Sequence, residues 1–228
     1  MKKLYSHARL YLVILMLLVS VGASAYEYLF KPIDSQFDTI ASRLNRLDFD
    51  NKREAIPPSV IARLHQIAKS QHNSQLQSRA LYWQVRASQM HANSNECIRL
   101  LEKARRLCGN NYDYDRARID YQLAGNYERQ CHYLKAYNLL NATLPVFEKY
   151  NDFYFLGNAY LLMVQLFKDI NDPDNARRAL HPARENYRKA GFTPNRIYFF
   201  EAILADSVQQ REKYYRLSTK TAVTTTGA

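Results

Sequence analysis

The feature that most restricts this chain is a pattern of small and large apolar residues that returns after about forty positions. Leu123-Ala124-x-x-Tyr127 followed by Tyr133-x-x-Ala136-x-x-x-Leu140 is matched by Met163-Val164-x-x-Phe167 followed by Pro173-x-x-Ala176-x-x-x-Leu180-x-x-Ala183. A weaker copy lies upstream, with Val85 and then Cys97-x-x-x-Leu101-x-x-Ala104. The equivalent small residues Cys97, Ala136 and Ala176 stand 39 and 40 residues apart. A recurrence of this length means stacked supersecondary units, because one such unit is too thin to bury its own apolar face.

The units are helical. Ile33, Phe37, Ile40, Leu44 and Leu47 recur at three- and four-residue steps behind Asp34, and Val60, Ile61, Leu64, Ile67 and Ala68 do the same behind Pro57-Pro58. Asp172-Pro173-Asp174 supplies an N-cap, a proline at the first helical position and an acidic first turn. Arg188-Lys189-Ala190-Gly191 places cations in a last turn and a glycine just beyond it, and Gly109 after Leu107-Cys108 reads as another glycine cap. Six glycines and seven prolines in 228 residues argue against a turn-rich β architecture. About ten helices of roughly 11 to 18 residues are expected, joined by short loops. Ile197 to Ala205 is read as one buried helix after Pro194, and the Thr-rich stretch from Ser218 as a flexible tail.

The Leu-Ala-x-x-Tyr and Ala-x-x-x-Leu-x-x-Ala signatures resemble the tetratricopeptide repeat. The likeness is good over 117–144 and 157–183 and weaker over 79–104, where Gln84 and Ser88 stand at apolar or aromatic places. It implies an all-α, tetratricopeptide-like α-α superhelix, a right-handed α-solenoid, of about five helix pairs spanning 26–217. A period near 40 rather than about 34 calls for longer helices or loops. Pro145 and Pro182 fall inside second helices, where kinks are expected. The resemblance further implies that first helices line a groove for a protein or peptide ligand. It puts Arg118, Tyr121, Gly125 and Glu128 on that groove in one repeat, Asn158, Leu161, Gln165 and Lys168 in the next, and Arg79, Tyr82 and Arg86 before them. Such residues suit an extended, acidic peptide, with cations and amides for carboxylates and carbonyls and tyrosines for rigid contact.

At the N-terminus, Lys2, Lys3 and Arg9 precede an apolar run from Leu10 to Val21 and then Ala23-x-Ala25, the layout of a secretory signal peptide over residues 1–25. The run is short for a bilayer core, which takes about 20 residues, and an uncleaved N-terminal anchor is the alternative reading. Export to the periplasm or cell envelope follows, with a mature chain starting near Tyr26. Losing three basic and no acidic residues would take the formal net charge from +11 to +8. Outside the cytoplasm that sign fits acidic peptides, anionic glycans or anionic surfaces better than nucleic acid. A leader followed by long-period repeats is also similar to the sensor half of certain bacterial envelope regulators, in which a transmembrane helix and a cytoplasmic helix-turn-helix domain follow. Ending at Ala228, the chain is expected to be a stand-alone or truncated sensor.

Residue patterns for catalysis do not turn up. The six histidines show no HExxH spacing, no Cys-x-x-Cys occurs, and no Gly-x-Ser-x-Gly or phosphate-cradling loop is present. Cys97, Cys108 and Cys131 are an odd number at irregular spacing, and are expected to be small apolar fillers on helices. The expectation is therefore a binding scaffold or sensor with no enzymatic activity, no metal and no cofactor. The alternatives are a structural self-assembly subunit of the envelope and a basic-surface binder of nucleic acid or anionic polymer.

Overall fold

A computed structural model describes residues 29–49, 56–88, 93–191 and 194–224, and the proposed leader lies outside them. Ten helices and no strands occur among the described residues: α1 (Ser35–Phe49), α2 (Pro58–Ser70), α3 (Ser74–Ser88), α4 (Ser94–Leu107), α5 (Asp113–Arg129), α6 (Tyr133–Lys149), α7 (Phe153–Asp169), α8 (Pro173–Lys189), α9 (Asn195–Ile203) and α10 (Val208–Thr224). Each packs chiefly on its neighbours in sequence, most extensively within the pairs α3/α4, α5/α6, α7/α8 and α9/α10. The fold is an all-α stack of sequential helix pairs, an α-helical repeat superhelix.

The forty-residue period has a simple origin. Helices α5 to α8 are each 17 residues long and begin at 113, 133, 153 and 173. Each is followed by a turn with one residue in the left-handed region: Cys131 (φ 60°), Asn151 (φ 53°), Asn171 (φ 57°) and Gly191 (φ 68°). The unit is a helix plus a three-residue turn, twenty residues in all, and two units make one period. The amides of His132, Asp152 and Asp172 donate back to the carbonyls of Tyr127, Phe147 and Phe167 at 2.8 to 2.9 Å, which satisfies carbonyls that a helix end otherwise leaves open. Asp152 and Asp172 then cap the next helix, accepting from the amides of Phe155 and Asn175. One short turn thus stops a helix and starts its partner.

The small residues seat the pairs. Cys97, Ala136 and Ala176 are buried, as are Val85, Ala124 and Val164 on the facing helices. Gly157 permits the closest approach, since a Cβ there would lie 2.8 Å from the Tyr187 ring of α8. Helical structure runs through both Pro145 and Pro182.

Three local expectations need correction. Gly109 is not a left-handed cap: α4 ends on Cys108 in an extended conformation, and the Gly109 amide instead donates to Gln75 Oε1 at 2.9 Å. Helix α10 continues to Thr224, past Ser218 where a tail was expected to begin. Cys131 is no helical filler, being exposed in the α5–α6 turn, while Cys97 and Cys108 are buried; none of the three is disulfide-bonded.

Candidate functional site

The forty-residue register places equivalent side chains on successive odd-numbered helices. Arg79, Arg118 and Asn158 form one row across α3, α5 and α7; Tyr82, Tyr121 and Leu161 form the next; Arg86, Gly125 and Gln165 a third. These rows share a face, but the two ends of that face differ.

At the α3/α5 end the chain covers the face itself. Residues 29–49 fold back over it, and Arg79 and Arg118 are each only 1% exposed. Arg79 donates to Asp115 at 2.6 Å, to Asp38 of α1 at 3.3 Å and to the Lys31 carbonyl at 2.8 Å. Arg86 pairs with Asp48 of α1 and donates to Gln122 Oε1 at 3.0 Å. Arg118 donates to the Tyr82 hydroxyl at 2.7 Å, to the Tyr114 hydroxyl at 3.0 Å and to Asn45 of α1 at 3.2 Å. Its guanidinium lies 3.8 Å from the centre of the Phe155 ring and 5.0 Å from that of Phe30. The Tyr114 hydroxyl passes the charge on by donating to Asp152 at 2.7 Å. Burial works against the Arg118 charge, but the oxygens of Tyr82, Tyr114 and Asp152 outweigh it and hold the guanidinium protonated. Burial likewise pushes the Tyr82 and Tyr114 hydroxyls above their ordinary value.

Arg79, Tyr82, Arg86 and Arg118, expected on an exposed groove, are therefore buried internal struts packed and hydrogen-bonded beneath Phe30, Asp38, Asn45 and Asp48. Leu161, 3% exposed, belongs to the apolar core.

At the α7/α9 end the same face is open. Tyr121, Gly125, Glu128, Asn158, Gln165 and Lys168 are all half-buried. Tyr121 stands edge-on to Phe155 at 5.4 Å, and Asn158 accepts from the Tyr187 hydroxyl at 2.9 Å. Gln165 and Lys168 both donate to Asp169 at 2.8 Å. Burial raises the Glu128 carboxyl, and its hydrogen bond to Asp169 raises it further. Burial also opposes the Asp169 charge, yet donors from Lys168, Gln165 and Glu128 win and lower its pKa.

Three members of this open region escaped the sequence reading. Asp169 anchors the polar cluster. Tyr154, pushed up to about 12 by burial, was readable as the forty-residue equivalent of Tyr114. Arg196 carried no such signal, because α9 leaves the twenty-residue register. It is exposed on α9 and stacks 5.8 Å from the Phe200 ring; burial raises the pKa of Tyr121, Glu128 and Tyr187, and the positive charge of Arg196 offsets only part of that rise.

Among the described residues no three His, Cys, Asp or Glu side chains converge as a metal site, and no helix is long and apolar enough to cross a membrane. No protein-family model and no curated protein matches the sequence.

Proposed function

We propose that this chain is an exported, non-catalytic binding module of tetratricopeptide type, acting in the periplasm or cell envelope as a scaffold or sensor for a protein or peptide. The observation that carries the reading is the asymmetry of one face: the α3/α5 end is closed by the chain's own residues 29–49, and the end toward α7 and α9 stays open. Tyr121, Asn158 and Gln165 give that open end a rigid ring and amide groups for a peptide backbone, with Lys168 and Arg196 beside them. The net charge of +8 left after removal of the leader and an exposed arginine favour an acidic segment. The sealed end supports the same chemistry, for there an aromatic and two aspartates, Phe30, Asp38 and Asp48, satisfy the arginines of equivalent helices.

The test is capture of acidic, neutral and basic peptide pools by the purified protein, repeated with Lys168→Glu and Arg196→Glu together. Selective retention of acidic peptides, lost in the charge-reversed variant, is the expected result. Retention that is indifferent to the reversal sinks the assignment of this face. Export is tested separately by mass analysis of the chain recovered from cells, where an N-terminus at or near Tyr26 is expected.

A further inference from the structure

The first helix pair is built differently from the others. In α7/α8 the seam is filled by Leu156, Ala159, Met163, Ala176 and Leu180, all buried. Helix α1 meets α2 over much less of its surface. Between them lies a cleft of about 420 Å³, within the range of small-molecule sites. Its walls are Ile40, Leu44 and Leu47 of α1 and Val60 of α2, of which Ile40, Leu47 and Val60 are left half-exposed. Protein interiors are normally close-packed, so an apolar gap of this size between paired helices is, among the described residues, an unfilled seam.

Two cations stand at its rim. Arg43 of α1 and Arg63 of α2 both line the cleft and both are exposed. Arg63 is held in place by Gln66 Oε1 at 2.9 Å and by Gln36 Oε1 of α1 at 3.2 Å, which are neutral partners. Among the described residues no carboxylate forms an ion pair with either arginine, whereas Arg79, Arg86, Arg105, Arg177 and Arg184 all have one. The apolar wall runs from Ile40 to Leu47, two helical turns or about 10 Å. A narrow slot of that length with unpaired cations at its rim is complementary to one flexible apolar chain ending in an anion.

We propose that the α1/α2 cleft binds a free single-chain acyl carboxylate, with the alkyl chain along Ile40, Leu44, Leu47 and Val60 and the carboxylate on Arg43 and Arg63. This site is separate from the open face above, and neither depends on the other. The probe is laurate, titrated calorimetrically into the purified protein below its micellar range. Saturable binding of one laurate per chain is expected, with dodecyltrimethylammonium, which has the same tail and the opposite charge, at least about tenfold weaker. R43Q/R63Q should weaken laurate about tenfold, the loss expected when a charge-assisted contact is removed. Val60→Trp, which fills the slot, should abolish binding while the helical circular dichroism is retained. Contacts between laurate chain protons and the methyls of Ile40 and Val60, measured by nuclear magnetic resonance on the unmutated protein, keep the test decisive if that variant does not fold. Replacing residues 50–55 by a Gly-Ser linker of equal length should leave binding unchanged. No saturable binding overturns the proposal. So do uptake of many molecules per chain, equal affinity for the cationic surfactant, loss of binding in the linker variant, attachment to anionic vesicles without binding of monomeric laurate, or a Val60-dependent dimer that excludes laurate.

Discussion

The two ends of the odd-helix face hold residues at equivalent positions in a single repeat and use them in opposite ways. Arg118 of α5 and Asn158 of α7 are forty residues apart and occupy the same place on their helices. Arg118 is enclosed by Phe30, Tyr82, Tyr114 and Phe155, whereas Asn158 stays half-exposed with one hydroxyl donor. Position within the repeat fixes which way a side chain leaves the helix. What covers it is decided elsewhere, by a segment that lies outside the repeat register and folds back. A polar side chain is therefore a buried structural member at one end and half-exposed at the other.

The sharpest way to break this contrast is to truncate one arginine from each end. Arg118→Ala should cost about 3–5 kcal/mol in urea unfolding, because it empties a large buried volume, strands the buried hydroxyl of Tyr82 and removes one donor from that of Tyr114. Arg196→Ala should change stability by less than about 0.5 kcal/mol, as expected for an exposed side chain, while lowering retention of acidic peptides. Equal losses of stability for the two would erase the distinction between the ends. A smaller effect is expected at Gly157→Ala, where the new methyl must displace the Tyr187 ring, costing about 1–3 kcal/mol by thermal or denaturant unfolding.

Two further changes sharpen the comparison with gains instead of losses. Cys131→Gly should stabilise by about 0.5–1 kcal/mol, since cysteine there is held at φ 60° where the register elsewhere uses Asn or Gly. The smallest effect is Glu128→Gln on the open end. The folded Glu128 carboxyl has a raised pKa, so its favourable protonated form is fully populated below the ordinary value of 4.5 and lost as pH rises through the folded value. The amide should therefore raise Tm by about 1–3 °C near neutral pH and make no difference in acid, as melting curves at several pH values will show. A gain that persists unchanged in acid would mean that ionisation of Glu128 is not what costs the stability.

Much of the fold was legible because it is written locally. Helix stripes, the Asp172-Pro173 start and the recurrence of Cys97, Ala136 and Ala176 all lie within one or two turns of what they specify. The covering of Arg79 and Arg118 was not legible, because their partners in the 29–49 segment stand 41 to 73 residues away and share no pattern with them. The repeat spacing grouped Arg79, Tyr82, Arg86 and Arg118 together, but could not reveal that Phe30, Asp38, Asn45 and Asp48 would cover them. Arg196 was missed for the opposite reason: the regular spacing breaks after Gly191, so extrapolating the register stops one helix too early.

The even spacing of the turns at 131, 151 and 171 makes them interchangeable joints. Each enters from a 17-residue rod, reverses the chain and launches the next rod at the same offset, so cutting out forty residues between two like joints reconnects the backbone in phase, whereas cutting out twenty swaps the roles of inner and outer rods throughout the remainder. Such a chain is free to grow or shrink along its axis in steps of two rods, and forbidden to do so in steps of one.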